Sequence, residues 1–165
     1  MNRLKRWLIF IAAGVILLDR LVKQWVLATL ELGEVRTFLP GLRLTYFQNT
    51  GMAFSFLQNH QWILIALIPV VMIVLWICLA RNMFPCPVQQ IGIVCVMAGG
   101  LSNWVDRILY RFVVDMFEFT FVRFAVFNVA DIFITSGAIL FLIAYVFHEH
   151  KNGKSAKQEG SNAAE

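Results

Sequence analysis

Four apolar stretches, each close to 20 residues, punctuate the 165-residue chain at about 7–27, 62–80, 88–108 and 129–147. About 20 apolar residues is the length an α-helix needs to cross the hydrocarbon of a bilayer. The second stretch carries no charge, with Pro69 inside it as an expected kink. The third is uncharged until Asp106, and the fourth is uncharged after Asp131. The first resembles a secretory signal at its start, where Arg3-Leu-Lys-Arg6 precedes an apolar run. No small-residue cleavage site follows; Asp19, Arg20 and Lys23 come next, and then more apolar sequence. That order predicts an uncleaved first transmembrane helix. The pattern therefore predicts an all-α membrane protein of four transmembrane helices, with residues 1–148 as a single domain.

The connections differ. Arg81-Asn-Met-Phe-Pro-Cys-Pro87 is a short, breaker-rich loop. Between helices one and two, Arg43-Leu-Thr-Tyr-Phe-Gln48 alternates like a strand, with a turn at Pro40-Gly41 before it and Asn49-Thr-Gly51 ending it. A small extracytoplasmic β-rich segment is predicted there. Residues 110–127 are aromatic and mixed, as in a segment lying along the interface. Residues 149–165 are rich in Lys, Ser, Asn and Gly without apolar periodicity, and a disordered cytoplasmic tail is expected.

Composition supports a membrane class, with 59% hydrophobic and 15% charged residues and a mean hydropathy of +0.71. The net charge of +4 comes with no continuous basic face interleaved with aromatics, so nucleic acid is not an expected partner. Three cysteines, Cys78, Cys86 and Cys95, are an odd number without paired spacing, and read as small apolar fillers. With both termini inside, the cytoplasmic side holds seven Lys and Arg and the outer loops four. The positive-inside bias thus favours that orientation. Asp19, Asp106, Asp115 and Asp131 then gather at the outer face.

Carboxylates beside hydrocarbon are expensive, and each requires a partner or a function. Asn103, Asp106 and Arg107 share one face at the end of helix three, and Asn128, Asp131 and Thr135 one face at the start of helix four. Taken alone, such polar stripes are usually caps or interhelical hydrogen bonds. Asp19 with Lys23 reads as a structural ion pair, and Asp106 beside Arg107 invites the same reading. Asp115 and Asp131, 16 residues apart, have no cation spaced to neutralise them on their own helix face, although Arg111 lies near Asp115. Two carboxylates sharing one proton can serve as acid and base on one water.

Five stretches carry a resemblance to a known family: Leu18-Asp-Arg-Leu-Val-Lys23, Gln48-Asn-Thr-Gly-Met-Ala-Phe-Ser55, Gly99-Gly-Leu-Ser-Asn-Trp-Val-Asp-Arg107, Val113-Val-Asp115 and Phe127-Asn-Val-Ala-Asp131. In this order, on a four-helix frame, they resemble the lipoprotein signal peptidases, also called signal peptidase II. The resemblance implies an aspartic endopeptidase of the bacterial inner membrane. It implies that Asp115 and Asp131 are its catalytic pair, and that Asn49, Asn103, Arg107 and Asn128 position the pair and the substrate backbone. Asp19 and Lys23 match supporting residues; Asp106 and Gly51 fall within matching motifs, and Gly51 suits a tight turn in a segment covering the site. The implied substrate is a diacylglyceryl-modified prolipoprotein, cut just before the lipidated cysteine, with membrane lipid as surroundings, no metal or organic cofactor, and a monomer as the working state. Two departures bear on loop shape. The family usually has Gly where this chain has Ser102, and often has Gly shortly before Val-Val-Asp, where this chain has Arg111-Phe112.

A small proton- or cation-coupled transporter is the rival reading, because intramembrane acids also suit ion paths. Transport sites tend to sit at the midplane on broken helices; here the acids fall at helix ends on one side. A purely structural membrane subunit is a third reading. It expects activity to survive loss of either aspartate.

Overall fold

The computed structural model describes residues 3–51 and 61–162. Within them the elements run α1 (Arg3–Thr29), β1 (Val35–Leu39), β2 (Leu42–Asn49), α2 (Gln61–Ala80), α3 (Pro87–Tyr110), β3 (Val113–Phe119) and α4 (Val129–Asn162). The four helices start and stop within a few residues of the apolar stretches, except that α4 continues helical through Asn162, into the stretch expected to be irregular. Lys, Glu, Gln and Ala there are good helix formers and can extend a helix already nucleated upstream.

Three of the helices are long and apolar enough to cross a membrane: α2, α3 and the Val129–His148 part of α4. The first helix has the length, at 27 residues, but bears Asp19, Arg20 and Lys23 in its second half. Most of α2 faces outward, including Trp62, Val70, Ile73 and Trp76. By contrast, α3 is the hub, packing most extensively on α4 and then on α1 and α2. Close approach of α3 and α4 requires glycine. A Cβ on Gly92 would lie 2.6 Å from the Gly137 carbonyl oxygen, and one on Gly99 2.6 Å from that of Ala130.

The β-rich segment is larger than the sequence predicts. Besides the β1–β2 hairpin, turned at Gly41 with φ +84°, a third strand joins from between α3 and α4, giving the antiparallel order β1-β2-β3. Its residues, Val113 to Met116, are buried without alternation, so no period of two marks it as a strand. An apolar cluster of Val26, Leu30, Leu44, Val114 and Met116 seals the sheet onto the end of α1.

The chain enters β3 through Arg111, whose φ of 63° is left-handed. This is the conformation in which glycine is favoured at a helix C-terminus, and here a non-glycine residue adopts it. Phe112 packs on the same apolar cluster and stacks on Tyr110 with ring centres 5.9 Å apart.

Candidate active site

Asp115 and Asp131 come from different kinds of element and meet because the chain doubles back between them. Phe127 forms a bridge to Phe117, with its carbonyl oxygen accepting from the Phe117 N–H at 2.8 Å. The next residue, Asn128, then stands beside Asp115. Its amide nitrogen donates to Asp115 Oδ1 at 2.6 Å. On the other side Asn49 donates to Asp115 Oδ2 at 2.8 Å. Asn49 pairs with Val113 in the sheet, which makes it the diagonal neighbour of Asp115 on the same face. Its side-chain oxygen Oδ1 accepts the Gly51 N–H at 2.9 Å, fixing the turn that leaves β2.

Asp131 is held by the start of its helix. Asn128 Oδ1 accepts the Asp131 N–H at 2.9 Å, and Asp131 Oδ2 accepts the Asn128 N–H at 3.1 Å. These two bonds form a capping box, with Asn128 as N-cap and Asp131 three positions on. The other oxygen, Oδ1, accepts from Asn103 Nδ2 at 2.8 Å. Asn103 Oδ1 in turn accepts from Lys23 Nζ at 2.8 Å and from Asn128 Nδ2 at 3.2 Å. Asn128 thus touches both carboxylates.

Behind this front lies a buried ionic cluster. Lys23 Nζ is 2.8 Å from Asp19 Oδ2 and 2.7 Å from Asp106 Oδ2, so its three protons all have acceptors. Arg20 Nη2 is 2.7 Å from Asp106 Oδ1. Asp19 also accepts the backbone N–H of Ala130 on Oδ1 at 2.8 Å, tying α1 to the first turn of α4. Asp19 pairs with Lys23 as the sequence suggests. Asp106 does not pair with adjacent Arg107, because the two side chains leave α3 in different directions. Arg107 instead donates to the carbonyl oxygens of Asn103 at 3.0 Å and Gly51 at 2.9 Å. Ser102 is not in a loop at all but within α3, its hydroxyl on Asp19. The segment 52–60, with the rest of the motif begun at Asn49, lies outside the described residues.

Both aspartates open onto one cavity of about 490 Å³, which Asn49, Asn103 and Arg107 also line. Its remaining walls are mostly apolar, from Phe119, Phe124 and Phe127 and from Ile132, Ile134 and Ile139, with Thr135 and Ser136 among the latter. In the sequence Thr135 stands out on this wall for its place on the Asp131 face, but the apolar residues around it do not. The spacing of Ile132, Thr135, Ser136 and Ile139 on one face beside Asp131 is the signal that would have found them. Burial, and next the charge of Asp131, push the carboxyl of Asp115 up to about 7. The bonds from Asn49 and Asn128 act in the opposite direction. Asp115 can therefore hold a proton near neutral pH, on a cavity it shares with a second fixed carboxylate and an apolar groove.

Comparison with known proteins identifies the family. The family described as Signal peptidase (SPase) II matches residues 11–147. The chain is 44% identical over 135 residues to the lipoprotein signal peptidase of Streptococcus pneumoniae, covering 80% of this chain and 87% of that one. It is 38% identical over 142 residues to that of Lactococcus lactis, covering 83% and 91%. A bacterial membrane enzyme solved by the in meso method superposes with a TM-score of 0.80 at 28% identity, over 84% of this chain and 87% of that one. With the family matched over most of its length, the chain belongs to the signal peptidase II family.

Proposed function

We propose that this membrane protease, whose family membership carries removal of signal peptides from prolipoproteins, works through Asp115 and Asp131 as an aspartic pair. The observation that carries the reading is the double engagement of Asn128, whose amide holds Asp115 while its backbone and carbonyl cap Asp131. One residue thereby fixes two carboxylates on one cavity. Charge supports it as well. Arg20, Lys23 and Arg107 are three cations facing Asp19, Asp106, Asp115 and Asp131, and a single proton on the pair brings the cluster to neutrality. A neutral cluster avoids the large cost of net charge away from water.

In the proposed reaction one aspartate, ionised, takes a proton from water as that water attacks the scissile carbonyl. The other, protonated, donates to the carbonyl oxygen and then passes its proton to the leaving amide. The pair titrates as a unit. Arg107 and the Asn49 amide are placed to hold the substrate backbone, and the apolar wall of the cavity suits the acyl chains of a diacylglyceryl cysteine. Cleavage just before that cysteine would leave the lipid in the bilayer while the peptide bond meets water at the outer face. The chain would then cross the membrane four times with both termini in the cytoplasm, α1 included. The transport reading gains no support from the family.

The test is cleavage of a diacylglyceryl-modified precursor by purified protein in detergent, followed by gel shift beside the unmodified precursor. Asp115→Asn and Asp131→Asn should each lose cleavage by roughly 100-fold or more, with insertion and a cooperative thermal transition retained. Asp106→Asn, which removes a partner of Lys23 and Arg20, should lower stability more than it changes chemistry. A working Asp115→Asn enzyme beside an inactive, well-folded Asp106→Asn would overturn the assignment.

A further inference from the structure

Ser102 is fully buried in the middle of α3. A serine inside a helix commonly returns its hydroxyl to the carbonyl four residues back. This one reaches across to another helix: Oγ donates to Asp19 Oδ2 at 2.6 Å, within the range of a charge-assisted bond. The same oxygen accepts from Arg20 Nε at 3.2 Å, and the Ser102 carbonyl accepts from Arg20 Nη2 at 2.5 Å. Asp19 is therefore held on Oδ2 by Ser102 and Lys23, which leaves Oδ1 aimed at the Ala130 N–H. Ala130 precedes Asp131, and its carbonyl lies where a Cβ on Gly99 would come within 2.6 Å. The first turn of α4 is thus clamped between α3 and a carboxylate from α1.

We infer that Ser102 is a positioning residue for Asp131, acting through Asp19 on the N-terminal turn of α4. The inference rests on the reading of Asp131 as one of the catalytic pair. Two routes lead from the Ser102 hydroxyl to that carboxylate. One runs through Asp19 to the Ala130 N–H. The other runs through Asp19, Lys23 and Asn103 to Asp131 Oδ1. Without the hydroxyl, Asp19 keeps Lys23 as its only partner on Oδ2 among the described residues, and Arg20 Nε loses its acceptor. Lys23 then sits closer to Asp19, and both routes slacken together.

Ser102→Ala and Ser102→Gly test it, because both remove the hydroxyl while alanine favours and glycine disfavours a helix interior. Hydrogen–deuterium exchange of the amides in 129–132 and cleavage kinetics are measured on the intact protein in detergent, with Asp131→Asn alongside. Both variants should exchange faster in 129–132, by roughly tenfold. Both should lose kcat by roughly threefold to tenfold, the loss expected for one hydrogen bond. KM should stay within about twofold, as for an interaction that affects only the transition state. Unchanged exchange in 129–132 overturns the link, whatever the activity. Faster exchange with unchanged kcat, in a protein inactive as Asp131→Asn, overturns the positioning role. Opposite effects of alanine and glycine would assign the result to helix propensity and overturn it too. An active Asp131→Asn would instead sink the aspartic pair, and the exchange data would still decide whether Ser102 reaches α4.

Discussion

Asp131 is at once a helix cap and a wall of the cavity, so the bland and the functional readings of its motif describe two oxygens of one carboxylate. Oδ2 closes the capping box and Oδ1 meets Asn103; neither is free to rotate away. Asp115 is fixed more simply, between two asparagine amides, and its titration can be read in stability. Its pKa is raised from 3.8 to about 7 when folded, with Asp131, Lys23 and Arg107 as the charges around it. A carboxyl so raised is tolerated best below its unfolded pKa, and the advantage is lost as pH climbs from about 4 through 7. Asp115→Asn lacks that loss. Its melting temperature relative to the parent should therefore rise across this window by at least about 3 °C and level off above it. A difference independent of pH, or shrinking as pH rises, would contradict the burial of Asp115. The charged members of the site were legible in the sequence because acids beside hydrocarbon stand out. Ser102 stood out there only as a departure bearing on loop shape, and the fold alone shows that it lies within a helix and which carboxylate it meets.

At the scale of elements, the joint between α3 and α4 sets the site, since each helix brings part of it. That joint is built on backbone contact, and its tolerance is correspondingly small. Gly92→Ala places a methyl against the Gly137 carbonyl and should cost about 1–3 kcal/mol through forced separation of the helices. Gly14→Ala, in α1 with open space around it, should instead be neutral or stabilising by up to about 1 kcal/mol. Thermal melts of the two variants in the same detergent check the contrast; equal effects would mean that α3 and α4 do not meet backbone to backbone at Gly92. The helices were readable from apolar length and the hairpin from its turn and alternation. Strand β3 was not, since both of its faces are covered near Asp115 and nothing local separates Val113-Val-Asp-Met116 from a short buried helix. Its strand character comes from pairing with β2, seventy residues earlier in register at Leu44 and Phe117 to within a few positions.

For the whole molecule, the proposed orientation, with both termini in the cytoplasm, rests on the Lys and Arg distribution and is open to direct test. In a chain lacking its three native cysteines, Arg43→Cys and Arg123→Cys should react with an impermeant maleimide on intact cells. Arg81→Cys and Lys154→Cys should react only after permeabilisation. The reverse pattern would place the cavity on the cytoplasmic side. The buried cluster also sets an order of events. Apart from the Asp19–Lys23 pair within the helix, the polar residues of α1 find their partners 80 or more positions later, in α3 and α4. At synthesis rates of roughly 5–20 residues per second, that is several seconds after α1 has left the ribosome. Until then Arg20 carries an insertion penalty of about 3 kcal/mol if centred in hydrocarbon, and Asp19 and Lys23 have only each other. If α1 crosses the membrane as proposed, it is a provisional passenger there, and the arrival of α3 is the moment at which the nascent chain commits to staying.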